Sequence, residues 1–183
     1  RRYPRIVIMA NKDKVEMEDE IAAKVADRIK QRESEGYSYE ASDASFELLL
    51  RDELGLLDKP FQVDSWTVQT TCDAFGDTDT TAMLRLGEQE WSGTGNGPLS
   101  ALDNALRDAL VTDHPAVANY RLVDYRVRIL DQGASTDSLV RVLIDTDNED
   151  QTWTTVGLGT NVVEASWEAL ADAYLYGLVK HYA

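Results

Sequence analysis

The sequence predicts an α+β chain in which a βββα unit occurs twice, related by a pseudo-twofold, behind a small helical segment. Three observations predict it. Hydrophobic spacing is helical up to about residue 54 and takes the strand period of two beyond about residue 60. From there the order strand, strand, strand, helix runs twice, over about 61–110 and 120–182. Finally, W-x-x-x-G-x-G appears at Trp91-…-Gly95-Asn96-Gly97 and again at Trp153-…-Gly157-Leu158-Gly159, an offset of 62 (153 − 91).

Residues 1–10 contain an apolar run, Ile6-Val7-Ile8-Met9, that suits a strand or a tail packed on something else. Residues 12–34 read as a helix, because Ile21, Val25 and Ile29 recur every four residues among charges; Gly36 ends it. A second helix spans about 42–54, with Phe46, Leu49, Leu50 and Leu54 on one side and Gly55 as its C-terminal stop. Gly55 and Pro60 mark a boundary, so the expected organisation is a helical linker at 1–58 and a second domain at 59–183.

Residues 61–72 alternate through Phe61, Val63, Trp66 and Val68, with a bulge expected at Asp64-Ser65. Strands at 82–86 and 90–94 follow, and Pro98 then opens a helix carrying Leu99, Leu102, Leu106 and Ala109. In the second unit the strand at 120–130 places Leu122, Asp124, Arg126 and Arg128 on one face and Val123, Tyr125, Val127 and Ile129 on the other. Strands at 139–144 and 152–156 flank the turn Asn148-Glu149-Asp150. A glycine-rich turn and a helix at about 162–180 complete the unit, with Asn161 and Glu164 at capping-box spacing.

Composition removes several classes of function. Of the 183 residues 43% are hydrophobic, which supports a packed core, and no apolar run approaches the roughly 18 residues of a membrane span. A net charge of −15 repels nucleic-acid phosphates. That acidity also fits either a salt-adapted host or an ordinary cytosolic protein, so the expected location is cytoplasmic. The chain begins at Arg1 with no leader pattern, and the expectation is a piece of something longer. The single Cys72 reads as a small strand residue, and the only histidines, His114 and His181, sit in a loop and a last helical turn. No metal-ligand spacing, nucleophile motif or phosphate loop is present, so no catalytic or metal residue is assigned.

One motif has binding chemistry. Gly95-Asn96-Gly97-Pro98 directs free backbone N–H groups from a helix N-terminus, an arrangement suited to a carboxylate. A tight turn needing glycine dihedrals accounts for the same residues, and by itself that is the preferred account. The Gly157-Leu158-Gly159 turn is the weaker version, because Asn161 already serves its helix end. The stripe Tyr125, Val127, Ile129 lines a pocket or, by default, faces the core.

Four stretches go further. Residues 36–49, GYSYEASDASFELL, resemble the GYxFExAxASFELL segment that follows the barrel of long-form citramalate synthases. Residues 122–130, LVDYRVRIL, resemble their LxDYKVRIL strand, and residues 155–167, TVGLGTNVVEASW, their TVGVSxNIIEASW segment. Gly95-Asn96-Gly97-Pro98-Leu99 resembles the GxGPxxA turn shared with 2-isopropylmalate synthases. From about residue 20 to the end, the chain resembles the C-terminal linker and regulatory domain of the citramalate, 2-isopropylmalate and homocitrate synthase family.

The resemblance implies a homodimerising regulatory region whose catalytic TIM barrel is absent, and with it the divalent metal and acetyl-CoA; no cofactor is expected on this chain. It implies a feedback effector, isoleucine in the citramalate branch. The alternatives are leucine in the 2-isopropylmalate branch or a dimerisation module with no effector. Carried over residue by residue, the effector site comprises Gly97, Pro98, Leu99 and Ser100, then Leu122, Tyr125 and Ile129, then Gly133, Leu139 and Asn161. The chain departs from the family over Arg1–Ala10 and in the polar loop around Gly133.

Overall fold

The computed structural model describes residues 19–130 and 138–183. The elements are α1 (Asp19–Glu35), α2 (Asp43–Glu53), β1 (Ser65–Cys72), β2 (Thr78–Leu86), β3 (Gln89–Gly95) and α3 (Pro98–Leu110). A short 3-10 turn, Pro115–Asn119, leads to β4 (Arg121–Leu130), β5 (Leu139–Asp147), β6 (Thr152–Gly159) and α4 (Val162–His181). The strands form two antiparallel three-stranded sheets, β1-β2-β3 and β4-β5-β6, each followed by a helix. This is the βββα order, twice.

In each unit the helix lies against one face of its own sheet. Ala82 and Leu84 of β2 are fully buried under α3, and Val142 and Ile144 of β5 under α4. Both rows join one core with Leu102, Leu106, Trp153, Leu170 and Tyr174. Trp167 of α4 meets Trp66 of β1 at 6.2 Å between ring centroids, which links the two units. Burying side chains of this size contributes about 1.5–3 kcal/mol each.

The helices approach their sheets closely because glycine lies beneath them. A Cβ on Gly93 would lie 2.9 Å from the Ala105 Cα, and one on Gly157 would lie 2.7 Å from the Ala169 nitrogen and closer still to the Ala165 carbonyl. The matched pairs therefore run Gly93 to Gly157, Gly95 to Gly159, and the N-caps Gly97 to Asn161, a spacing of 64 (161 − 97). This corrects the offset of 62 drawn from the tryptophans. Trp91 stands across from Leu84, while Thr155 stands across from Ile144, so Trp91 and Thr155 are the equivalent positions. What repeats is backbone clearance under a helix, not an indole.

Other expectations are corrected. Gly157-Leu158-Gly159 is the end of β6 and not a turn, since all three residues pair with β5. Strand β1 begins at Ser65; Phe61 and Val63 instead pack on the core from an irregular approach. The bulge lies in β4, between Leu122 and Asp124. In α2, Leu48 is buried as well as Phe46 and Leu50, because the helix is covered on more than one side. The expected strand at 1–10 and the start of the first helix lie outside the described residues.

The helices α1 and α2 cover the outer face of the second sheet. Val25, Ala26, Ile29, Phe46 and Leu50 form a second core with Val156, Leu143 and Leu158. The free edge of β6 is sealed by side chains of α2: Thr154 N donates to Asp43 Oδ1 at 3.1 Å and Val156 N to Ser45 Oγ at 2.9 Å. Gly36 ends α1 at φ +127°, a conformation that disfavours any side chain, and packs under the methyls of Leu130 and Leu158.

Gly157→Ala is expected to destabilise the chain by about 3 kcal/mol, because rigid backbone stands where the methyl would go. Gly97→Ala is expected to change stability by less than about 0.5 kcal/mol. Its φ of −166° is extended and its Cβ position is empty. Urea denaturation of both variants checks the contrast.

Candidate functional site

Cross-strand partners share a face, so β4 can be placed from β5. Tyr125, Val127 and Ile129 stand across from Ile144, Val142 and Val140, on the face that α4 covers. The helix does not extend over β4, and the three side chains are 39%, 45% and 69% exposed. The default core reading of this stripe is thereby corrected. The bulge changes the parity of the strand: Leu122 pairs with the buried Thr146 and so joins Tyr125 and Ile129 on one face, against the strict alternation expected.

The N-terminus of α4 meets this stripe. Asn161 Oδ1 accepts from Glu164 N at 2.9 Å, so the helix end is capped. Ser166 Oγ donates to Val162 O at 2.5 Å, which leaves Tyr125 as donor in its 2.7 Å hydrogen bond to Ser166 Oγ. Leu139 pairs with Leu130 at the far end of β4, and Gly133 lies outside the described residues.

Gly97, Pro98, Leu99 and Ser100 lie elsewhere, at the N-terminus of α3 beside the end of β3. Among the described residues the positive-φ glycines are Gly36, Gly55, Gly76 and Gly87, so the dihedral explanation of the Gly95–Gly97 turn is corrected. Gly95 is needed for clearance, its Cβ position lying 2.8 Å from Ala101 N. Gly97 has open space and gives α3 an N-cap with no side-chain hydrogen bond. Its free donors match a carboxylate. Among the described residues no hydrogen bond or ring contact joins this turn to the β4 stripe. The residues expected to form one site therefore fall in two separate groups on the chain.

A second cluster went unnoticed in the sequence, because its members are spread from residue 32 to residue 172. Between α1, α2 and α4 lies a cavity of about 190 Å3, lined by Arg32, Tyr37, Tyr39, Lys59, Glu168 and Asp172 among others. Tyr37 donates to Glu168 Oε1 at 2.5 Å, and Arg32 Nη2 stands 3.8 Å from the same oxygen. Ser45 Oγ donates to Asp172 Oδ2 at 3.0 Å. Burial pushes Glu168 up and pushes Asp172 up from 3.8 to about 7; the Ser45 hydrogen bond opposes the shift in Asp172 and the neighbouring Glu168 charge adds to it. The only sequence signal is the i, i+4 spacing of two acids on the last helix.

Among the described residues no three His, Cys, Asp or Glu side chains converge as a metal site requires, and no helix is long and apolar enough to cross a membrane. Residues 40–178 match a family model described as the LeuA allosteric (dimerisation) domain. The (R)-citramalate synthase of Streptomyces coelicolor is 47% identical over 166 residues, which cover 88% of this chain and 31% of that protein. That of Aquifex aeolicus is 41% identical over 162 residues, covering 86% of this chain and 31% of that protein. The 2-isopropylmalate synthase of Shouchella clausii is 34% identical over 113 residues, 56% of this chain and 20% of that protein. The chain spans about a third of the length of the curated citramalate synthases it matches.

The raised carboxyls set a pH dependence. Folded Asp172 holds a proton that an unfolded chain has already released, so stability falls as pH rises from about 4 to about 7 and levels off above that. Between pH 5 and pH 7.5 the wild type is expected to lose stability relative to Asp172→Asn, read from urea midpoints.

Proposed function

The chain belongs to the LeuA allosteric (dimerisation) domain family, and from that premise we propose that it is the dimerising, effector-sensing C-terminal part of a citramalate synthase, with isoleucine as feedback effector. The β4 stripe carries this reading. A sheet that buries Ile144 and Val142 yet leaves Tyr125, Val127 and Ile129 uncovered on the same face is incomplete as a monomer.

A second copy laid on that stripe would cover it and bring the open α3 N-terminus of one protomer toward the β4 face of the other. The uncapped N–H groups of Leu99 and Ser100, beyond Gly97 and Pro98, would then hold an α-carboxylate, while Leu122, Tyr125 and Ile129 would enclose a branched aliphatic chain. Isoleucine and leucine differ only in the position of a methyl, so the choice between them rests on wall shape and amounts to about 1–3 kcal/mol. Leucine sensing, as in a 2-isopropylmalate synthase, is the second reading, favoured by the weaker match to that enzyme.

In the whole protein, an acetyl-CoA-dependent transferase of the cytoplasm, the metal and acetyl-CoA belong to the barrel and no catalytic residue to this chain. Effector bound at the dimer interface would favour one arrangement of the paired units, and the linker would transmit that bias as a coupling free energy.

Replacing both Val127 and Ile129 with Asp is expected to weaken dimerisation about a hundredfold or more, measured by analytical ultracentrifugation. Titration calorimetry of the wild type should give saturable heat with isoleucine and little with leucine. The reverse preference would move the assignment to the 2-isopropylmalate branch, and silence from both with an intact dimer would leave a structural module.

A further inference from the structure

We propose that the cavity between α1, α2 and α4 is a second ligand site, taking a small aliphatic ammonium compound whose cation lies against Asp172. The site is distinct from the β4 stripe and does not depend on the function proposed above.

The charges in the cavity do not balance locally. Arg32 is committed: its Nε donates to Tyr39 Oη at 3.2 Å, its guanidinium lies 4.0 Å over the Tyr37 ring, and Glu168 is beside it. Glu168 in turn is held by Tyr37 and Arg32. Asp172, one helical turn further along α4, has the Ser45 hydroxyl. That hydroxyl accepts from Val156 N as it donates to Asp172, so both of its bonds are used. Rotating Ser45 away would orphan a buried N–H at the sealed sheet edge, and Asp172 is thereby fixed toward the cavity.

The remaining charges facing the space are Asp52 of α2 and Lys59 of the linker. Arg32 and, more weakly, Lys59 attract Asp172, both less than burial and the Glu168 charge oppose its ionisation. A carboxylate held in place under desolvation and beside a second acid either keeps a proton or gains from an occupant that supplies positive charge. Leu48, Leu49, Leu57 and Leu175 line the same space and offer a wall for an alkyl stem. The volume of about 190 Å3 is ample for the ammonium and short stem of a compact molecule. A simple alkylamine and an α-amino acid share the required ammonium-on-aliphatic chemistry, and only the amino acid would also use Lys59.

The test is calorimetric titration of the wild-type chain with n-butylammonium chloride at pH 8.5 and pH 6.0, repeated on Asp172→Asn. Saturable binding at pH 8.5, roughly tenfold weaker at pH 6.0 as Asp172 takes up its proton, and absent in Asp172→Asn supports the site. The Asn carboxamide keeps an acceptor for Ser45, and near-UV circular dichroism checks that the variant retains its packing. No saturable binding in the wild type at either pH, or equal binding in Asp172→Asn, overturns the proposal. L-Norvaline separates the two sources. Tighter binding than n-butylammonium that is lost in Lys59→Met assigns the site to amino acids, and equal binding assigns it to simple amines; both outcomes support the ammonium site.

Discussion

Each sheet of this chain is pressed against its helix at a distance that only glycine allows, and the rest of the architecture follows from that approach. Gly93 and Gly157 leave room for Ala101, Ala105, Ala165 and Ala169 to sit directly on the strands. The helices are then close enough for Leu84, Leu102, Ile144 and Leu170 to merge into one interior. The narrow contact also fixes where each helix ends over its sheet. On the second sheet α4 covers β5 and β6 and leaves β4 bare, which is the origin of the exposed stripe.

The connection between the two units is tied by a single cation. Arg107 of α3 donates to the carbonyls of Val117, at 2.9 Å, and Tyr120, and pairs with Asp103 at 3.1 Å. Tyr174 of α4 donates to the other oxygen of Asp103 at 2.6 Å. The chain leaves the first unit, turns through the 3-10 segment and enters β4 under the control of one guanidinium. Tyr120, which follows that segment, fills the space above Gly177 and packs edge-on against Trp153. The register of β4, and hence the face its aromatic and aliphatic residues present, depends on this small assembly of Asp103, Arg107 and Tyr174.

Much of the fold was legible in the sequence because it rests on periodicity. Alternation in 121–130 and helical spacing in 162–181 are local properties, and Pro98 and Asn161 mark helix starts by their own chemistry. What was not legible depends on contacts across the chain. The bulge at Leu122 changes which side chains share a face, yet it has no composition signal. The role of Gly157 is set by Ala165 and Ala169 above it, and from sequence alone a G-x-G reads as a turn. The pairing of Tyr37 with Glu168 spans 131 residues, so the charged cavity has no footprint in any short window. Of the candidate effector residues, the structure gathers Leu122, Tyr125 and Ile129 on one face and leaves Gly97 to Ser100 apart, since they belong to the other sheet.

The sealed edge of β6 has a consequence for how copies of this chain associate. With Asp43 and Ser45 occupying the outward N–H groups of Thr154 and Val156, the second sheet can accept new neighbours only from the side of β4. The same hydroxyl and carboxylate that dock a helix thus leave the second sheet a single edge at which a strand could be added.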